Sequence, residues 1–199
     1  MPSMHRVAIT MGGFAALAAA AQAQIAWDES VSGDISGDPD APTAITLGLG
    51  SNIITGQVFA SDDTRDFVTF TIPDGQALGE LRLLEYFDIT SGDPGNRGFH
   101  AINAGATSFI PGPDTAAFFL GGDHLDPAPA GTDLLPLLAA APLAGTGFDT
   151  PLGPGTYSYV VQQTGPEVTG YSIDLVVIPA PATLAGLGVA GLLVGRRRR

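Results

Sequence analysis

Cysteine is absent from the 199 residues, which excludes a disulfide framework, a thiolate metal site and a thiol nucleophile. Lysine is absent too, so all eight basic residues are arginines. Five of them stand near the two ends, at Arg6, Arg196, Arg197, Arg198 and Arg199, whereas all twenty acidic residues fall between Asp28 and Asp174. Between the ends only Arg65, Arg82 and Arg97 oppose the twenty carboxylates, a formal charge of −17. A surface of that sign repels nucleic acid and anionic lipid, so no nucleic-acid partner is expected. Histidine is scarce: beyond the first residues only His100 and His124 are available for acid–base chemistry. Neither falls in a metalloprotease spacing, no serine stands in a nucleophile elbow, and carboxylates in abundance do not by themselves make a glycosidase pair. The expectation is a protein that is not an enzyme.

What is present begins with composition. Glycine (27) and proline (16) make up about a fifth of the chain, normal for turn-rich β structure, and 45% hydrophobic residues are too many for a disordered one. The length fits one domain with a real core. At the front, Arg6 precedes an apolar run over 7–21, and Ala21-Gln22-Ala23 supplies the small-x-small pattern read by signal peptidase. Residues 1–23 therefore read as a secretory signal cut after Ala23. An N-terminal core helix is the competing account; Gly12-Gly13 and the lack of a polar face argue against it.

The other end, 178–199, also has three parts. Pro179-Ala180-Pro181-Ala182-Thr183 leads into an apolar stretch over 184–195, followed by Arg196, Arg197, Arg198 and Arg199. As a helix, 182–195 reaches about 21 Å against a hydrocarbon core of ~30 Å, a marginal span suited to temporary retention. The arginines resist crossing and keep the C-terminus cytoplasmic. This ending resembles the PEP-CTERM sorting signal of Gram-negative bacteria, in which a Pro-Glu-Pro core precedes an apolar helix and a basic cluster. Pro179, Pro181, Ala182, Thr183 and the arginines match; Ala180 stands where the glutamate usually stands. The resemblance covers only the tail. It implies an exosortase and signal peptidase as processing partners, a transient inner-membrane precursor, a final place at the cell surface or outside the cell, and exopolysaccharide or biofilm surroundings. A plain tail anchor is the alternative.

Residues 24–43 are polar and rich in glycine and aspartate, a loop or edge ribbon leading into a domain over 44–177. There, β-favouring runs cover 44–49, 52–59, 67–72, 78–89, 98–103, 107–110, 115–120, 156–163 and 170–177. Val68, Phe70 and Ile72 alternate with Thr69 and Thr71, and Tyr171, Ile173, Leu175 and Val177 alternate with Ser172, Asp174 and Val176. Period two places one set inward and leaves the other wet, with Phe67 out of phase and less important than Phe70. A helical turn over 134–141 is expected behind Asp133 as N-cap, with Pro136 tolerated in the first turn. The fold class is all-β: a single β-sandwich or jelly-roll-like domain flanked by an N-terminal signal helix and a C-terminal apolar helix. Asp66-Phe67-Val68-Thr69-Phe70-Thr71-Ile72-Pro73 and Gly153-Pro154-Gly155-Thr156-Tyr157 resemble the bacterial pre-peptidase C-terminal domain pattern, which implies a small accessory sandwich without catalysis.

Three local features bear on binding. Asp62, Asp63 and Asp66 crowd between two strands, where hard oxygen ligands would hold Ca²⁺; a solvated acidic loop, with Arg65 neutralising one carboxylate, is the competing account. No other cofactor is expected. His100 reads as a hydrogen-bonded structural residue in a strand and His124 as part of a turn over 121–126. Trp27, Tyr86, Tyr157, Tyr159 and Tyr171 are the aromatics available for a sugar platform, or else core. The function expected is a non-enzymatic exported surface or matrix protein. A polysaccharide-binding module and a secreted hydrolase are the alternatives.

Overall fold

The computed structural model describes residues 23–59, 63–88, 98–125, 130–141, 143–163, 165 and 168–180. Ten strands form in order: β1 (Gln24–Asp28), β2 (Thr43–Ala44), β3 (Asn52–Val58), β4 (Arg65–Ile72), β5 (Gln76–Asp88), β6 (Gly98–Ala104), β7 (Gly121–Leu125), β8 (Thr132–Asp133), β9 (Gly155–Gln162) and β10 (Thr169–Pro179). Two short helices, α1 (Glu29–Ser32) and α2 (Leu135–Ala139), interrupt them. The strands make two five-stranded sheets, β1-β3-β10-β5-β8 and β2-β4-β9-β6-β7. Pairing is antiparallel except at one edge of each, where β1 runs parallel to β3 and β2 parallel to β4. The protein is thus all-β, and the two sheets pack face to face.

Alternation explains the core. Val68, Phe70 and Ile72 from β4, Tyr159 and Val161 from β9, and Tyr171, Ile173 and Leu175 from β10 belong to one buried cluster between the sheets. The outer faces do not follow the simple rule. Phe67 is fully buried and packs with Phe99, Ala101, Phe119, Ala144 and Val160 in a second cluster on the far side of the second sheet. The expectation that Phe67 faces water is corrected. The cover comes from segments read as strands: 107–110 has no strand, and 115–120 holds a 3₁₀ turn at Ala116–Phe118 that seats Phe119. Pro111 and Pro113 donate no N–H and favour such an irregular path. Ser172 and Asp174 are also buried, against the wet face expected for them; Asp174 accepts the Asn52 N–H at 2.8 Å, and Arg82 lies 3.8 Å from its other oxygen.

The run expected at 44–49 shrinks to the two-residue β2, whereas 121–126, read as a turn, contains β7. Its glycines are required by closeness: a Cβ on Gly121 would stand 1.8 Å from the Leu138 carbonyl oxygen, and one on Gly122 2.7 Å from the Phe99 ring. Asp133, expected as the N-cap, stands one residue too early: Leu134 is the N-cap of α2, without a side-chain cap bond, and the helix covers only Leu135–Ala139. Asp133 accepts N–H bonds from Leu135 at 3.0 Å and from Leu81 at 2.9 Å, and so ties the start of α2 to β5.

Both ends of the described chain leave the sandwich at one end. Gln24 donates its backbone N–H to Ser51 at 3.0 Å, beside the start of β3. Because β10 runs antiparallel to β3, its last residues lie at that same end, where Gly50 pairs with Val177 and Ala180 donates to Gly75 at 2.8 Å. Among the described residues no helix is long and apolar enough to cross a membrane.

Candidate functional site

At the end opposite the chain termini the core turns polar. On β4 the inward phase of Ile72, Phe70 and Val68 continues back to Asp66, which is 1% exposed. Asp66, Val161 and His100 stand in one cross-strand row, facing the row Gly56, Tyr171 and Tyr86 of the other sheet. Across that gap Tyr171 donates its hydroxyl to Asp66 Oδ2 at 2.6 Å, and Tyr86 meets His100 edge-on at 5.4 Å between ring centroids. His100 Nδ1 is hydrogen-bonded to the Tyr159 hydroxyl at 2.6 Å. Two buried atoms, Asp66 Oδ1 and His100 Nε2, have no hydrogen-bond partner among the described residues.

Burial decides the charge of this layer. It pushes the Asp66 carboxyl up to about 9, reinforced by the negative charge of Glu29 and only partly offset by the Tyr171 hydrogen bond. Burial pushes His100 down to about 3, with the nearby His124 acting in the same direction. Near neutral pH the pair is therefore a protonated acid and a neutral imidazole. His100 has the structural role expected of it.

Above Asp66 lies an acidic cavity of about 250 Å³ lined by Glu29, Ser30, Asp34, Gln57, Phe59 and Asp63. Local hydrogen bonds shape its rim. Asp28 caps α1 by accepting the Ser30 N–H at 3.0 Å, which presents Glu29. Glu29 then accepts the N–H groups of Ile35 at 3.0 Å and Gln57 at 2.8 Å, pinning the lead-in segment to β3. Burial raises Glu29, against the effect of those two bonds. Burial and the charges of Asp34 and Glu29 push Asp63 up to about 7.

The aspartates singled out in the sequence are thus divided. Asp63 is half-buried at the cavity, Asp66 lies in a strand beneath it, and Asp62 is outside the described residues. A solvated loop does not describe Asp66. Nor does Arg65 neutralise it: Arg65 donates to Gln162 Oε1 at 2.8 Å and to Thr64 Oγ1 at 2.9 Å. Among the described residues no three carboxylates or histidines converge closely enough to hold a metal ion; Asp62, one of the three ligands expected for Ca²⁺, lies outside them. Sequence reasoning missed Glu29, Asp34 and Tyr171 as members of this cluster. For Asp66 the signal was there, in the alternation carried one step further back from Val68.

The second sheet carries a separate cleft of about 390 Å³ on its outer face, lined by Phe99, Pro111, Pro113, Phe119, His124 and Gln162. His124 is exposed on β7, where its ring meets Phe99 at 5.5 Å, and is not part of a turn. The five aromatics considered for a sugar platform are not assembled into one. Tyr86, Tyr159 and Tyr171 are core residues, while Trp27 and Tyr157 pack against the core from its margin. The exposed aromatic pair is Phe109 and Phe118, 5.1 Å apart between centroids.

Of the terminal signals, Ala23 is the first described residue and is exposed, Pro179 ends β10, and Ala180 makes the hydrogen bond to Gly75. Ala21, Pro181, Ala182, Thr183, Arg196, Arg197, Arg198 and Arg199 lie outside the described residues. No protein-family model matches the chain, and no curated protein matches it.

Proposed function

We propose that the chain is a non-enzymatic, exported β-sandwich protein of the cell surface or extracellular matrix, flanked by an N-terminal signal helix and a C-terminal apolar helix and sorted by an exosortase through its tail. The observation that carries this reading is the tail itself: a proline motif, a short apolar stretch and four arginines on a chain that also opens with a secretory pattern. The fold is compatible with it. Pro179 closes β10 because it has no N–H to extend the ladder, so the motif begins where the sheet stops. The test is mass spectrometry of the native surface or released protein. No peptide from Leu184 onward should be found, and neutral residues in place of Arg196, Arg197, Arg198 and Arg199 should leave the chain unsorted. An intact apolar segment in the released protein refutes the sorting.

The Phe109–Phe118 pair favours a second reading, a polysaccharide-binding module. Phe118 is 57% exposed and stands beside the cleft, with its ring tilted 45° to that of Phe109. Exposed aromatic rings are the apolar surface on which a sugar face stacks. A glycan array gives the outcome: retention that disappears in Phe118→Ala supports the module, and no retention of any polysaccharide removes it.

A further inference from the structure

We propose that the cleft on the outer face of the second sheet seats the acetamido group of a neutral, N-acetylated amino-sugar polymer; this rests on the polysaccharide-binding reading and names the sugar for it. Cross-strand pairing sets Arg65, Gln162, Phe99 and His124 in one row across β4, β9, β6 and β7. Gln162 and His124 thus stand on either side of Phe99, about 10 Å apart at the backbone. Among the described residues they are the only polar side chains that line the cleft. Gln162 Oε1 accepts from Arg65 Nε at 2.8 Å, which fixes the side-chain amide and leaves its NH₂ group to another partner. Neither that group nor the His124 ring nitrogens make a hydrogen bond among the described residues.

That arrangement matches a secondary amide. In a trans amide the C=O and the N–H point in opposite directions, so one laid over Phe99 meets a donor on one side and an acceptor on the other. Gln162 donates from its NH₂ group to the carbonyl oxygen, and a His124 ring nitrogen accepts the N–H. The bond from Arg65 polarises the Gln162 amide and strengthens it as a donor. The rest of the lining, Phe119, Leu143 and Ala144 among it, is apolar and takes the acetyl methyl. A hydroxyl in that part would give up water without gaining a partner.

Ring contacts make the amide that of a sugar. They run without a break from the surface into the cleft: Phe118 to Phe109 at 5.1 Å, Phe109 to Phe119 at 6.1 Å, Phe119 to Phe99 at 6.0 Å, and Phe99 to His124 at 5.5 Å. The exposed rings at the outer end give a sugar face its stacking surface, and the acetamido group enters beside them. Charge makes the polymer neutral. Among the described residues no carboxylate lines the cleft to meet a free ammonium, and a formal charge of −17 between the chain ends repels uronic acids.

The test is calorimetric titration of the full chain in detergent with three tetrasaccharides that share one β-linked backbone. They differ only in the group on the second ring carbon: acetamido in N-acetylchitotetraose, amino in chitotetraose and hydroxyl in cellotetraose. The acetylated compound should bind about tenfold more tightly than either of the others, the worth of a buried methyl and a hydrogen bond. Gln162→Met should remove that preference, as should His124→Phe at an exposed position of the edge strand β7, whereas Phe118→Ala should weaken all three alike. Equal binding of cellotetraose or chitotetraose overturns the acetamido seat and leaves the polysaccharide-binding reading standing. Absence of binding of both N-acetylchitotetraose and N-acetylgalactosamine overturns it whatever the glycan array retains. A preference unchanged in the double variant Gln162→Met/His124→Phe overturns it as well. Acetyl-trialanine amide binding as tightly as the acetylated tetrasaccharide assigns the cleft to a peptide and overturns it too.

Discussion

Asp66→Asn should make the protein more stable at pH 8, by about 4 kcal/mol, and should remove most of its loss of stability between pH 4 and pH 9. The sign follows from the direction of the shift. In the unfolded chain an aspartate loses its proton near pH 3.9, whereas in the fold Asp66 keeps it to about 9. Between those values the native state holds a proton that the unfolded state has released. Stability is therefore fully present below about pH 4 and falls by up to about 1.4 kcal/mol per pH unit as pH rises towards the folded value. Asparagine carries no charge at any pH, and its side-chain oxygen accepts the Tyr171 hydroxyl in place of Oδ2. Its amide hydrogens need partners, which costs about 1–2 kcal/mol and places the variant level with or below the native protein at pH 4. Urea denaturation at several pH values checks this: parallel profiles for the two proteins would mean that Asp66 is ionised in the fold.

Phe67→Ala should cost about 3–5 kcal/mol, as much as Phe70→Ala. Phe67 is 0% exposed and Phe70 2%, on opposite faces of β4, each inside its own apolar cluster. Removing either ring leaves a cavity that the sheet between them is too rigid to close. Chemical denaturation of the two variants provides the measurement. A Phe67→Ala loss below about 1 kcal/mol would show that the cover over the outer face, Phe119 and Ala144 among it, contributes little to the stable fold.

The strands rich in β-favouring residues were legible in the sequence. β3, β4, β6, β9 and β10 stand within two residues of the runs so marked, and in β4 and β10 alternation adds the inward phase, because period two is a local property. What failed was non-local. β7 has no apolar alternation, and its paired glycines look like a turn until the neighbours that crowd them, Leu138 and Phe99, are in place. The second buried face of β4 depends on a proline-bearing segment folding back over it, which no window around Phe67 contains. The same division holds at the acidic cavity. Asp63 and Asp66 stood out by proximity in sequence, but Glu29 joins them only through its bond to Gln57, 28 residues away. The burial of Asp66 has a simpler origin: it stands between two expected strands, where a solvated loop is the natural reading, yet its phase with Val68 carries it inside.

The position of β10 has a mechanical consequence. This strand of eleven residues lies in the middle of its sheet, antiparallel to both β3 and β5, and the tail continues directly from its end at Pro179. A pull on the tail along the strand axis therefore loads two hydrogen-bonded ladders at once and in shear, so their bonds must fail together. The same force on the two-residue β2 or β8, each at a sheet edge, would peel it away a bond at a time. Under such a pull the domain takes the strain along its most resistant line, and its acidic end lies furthest from the point where the force enters.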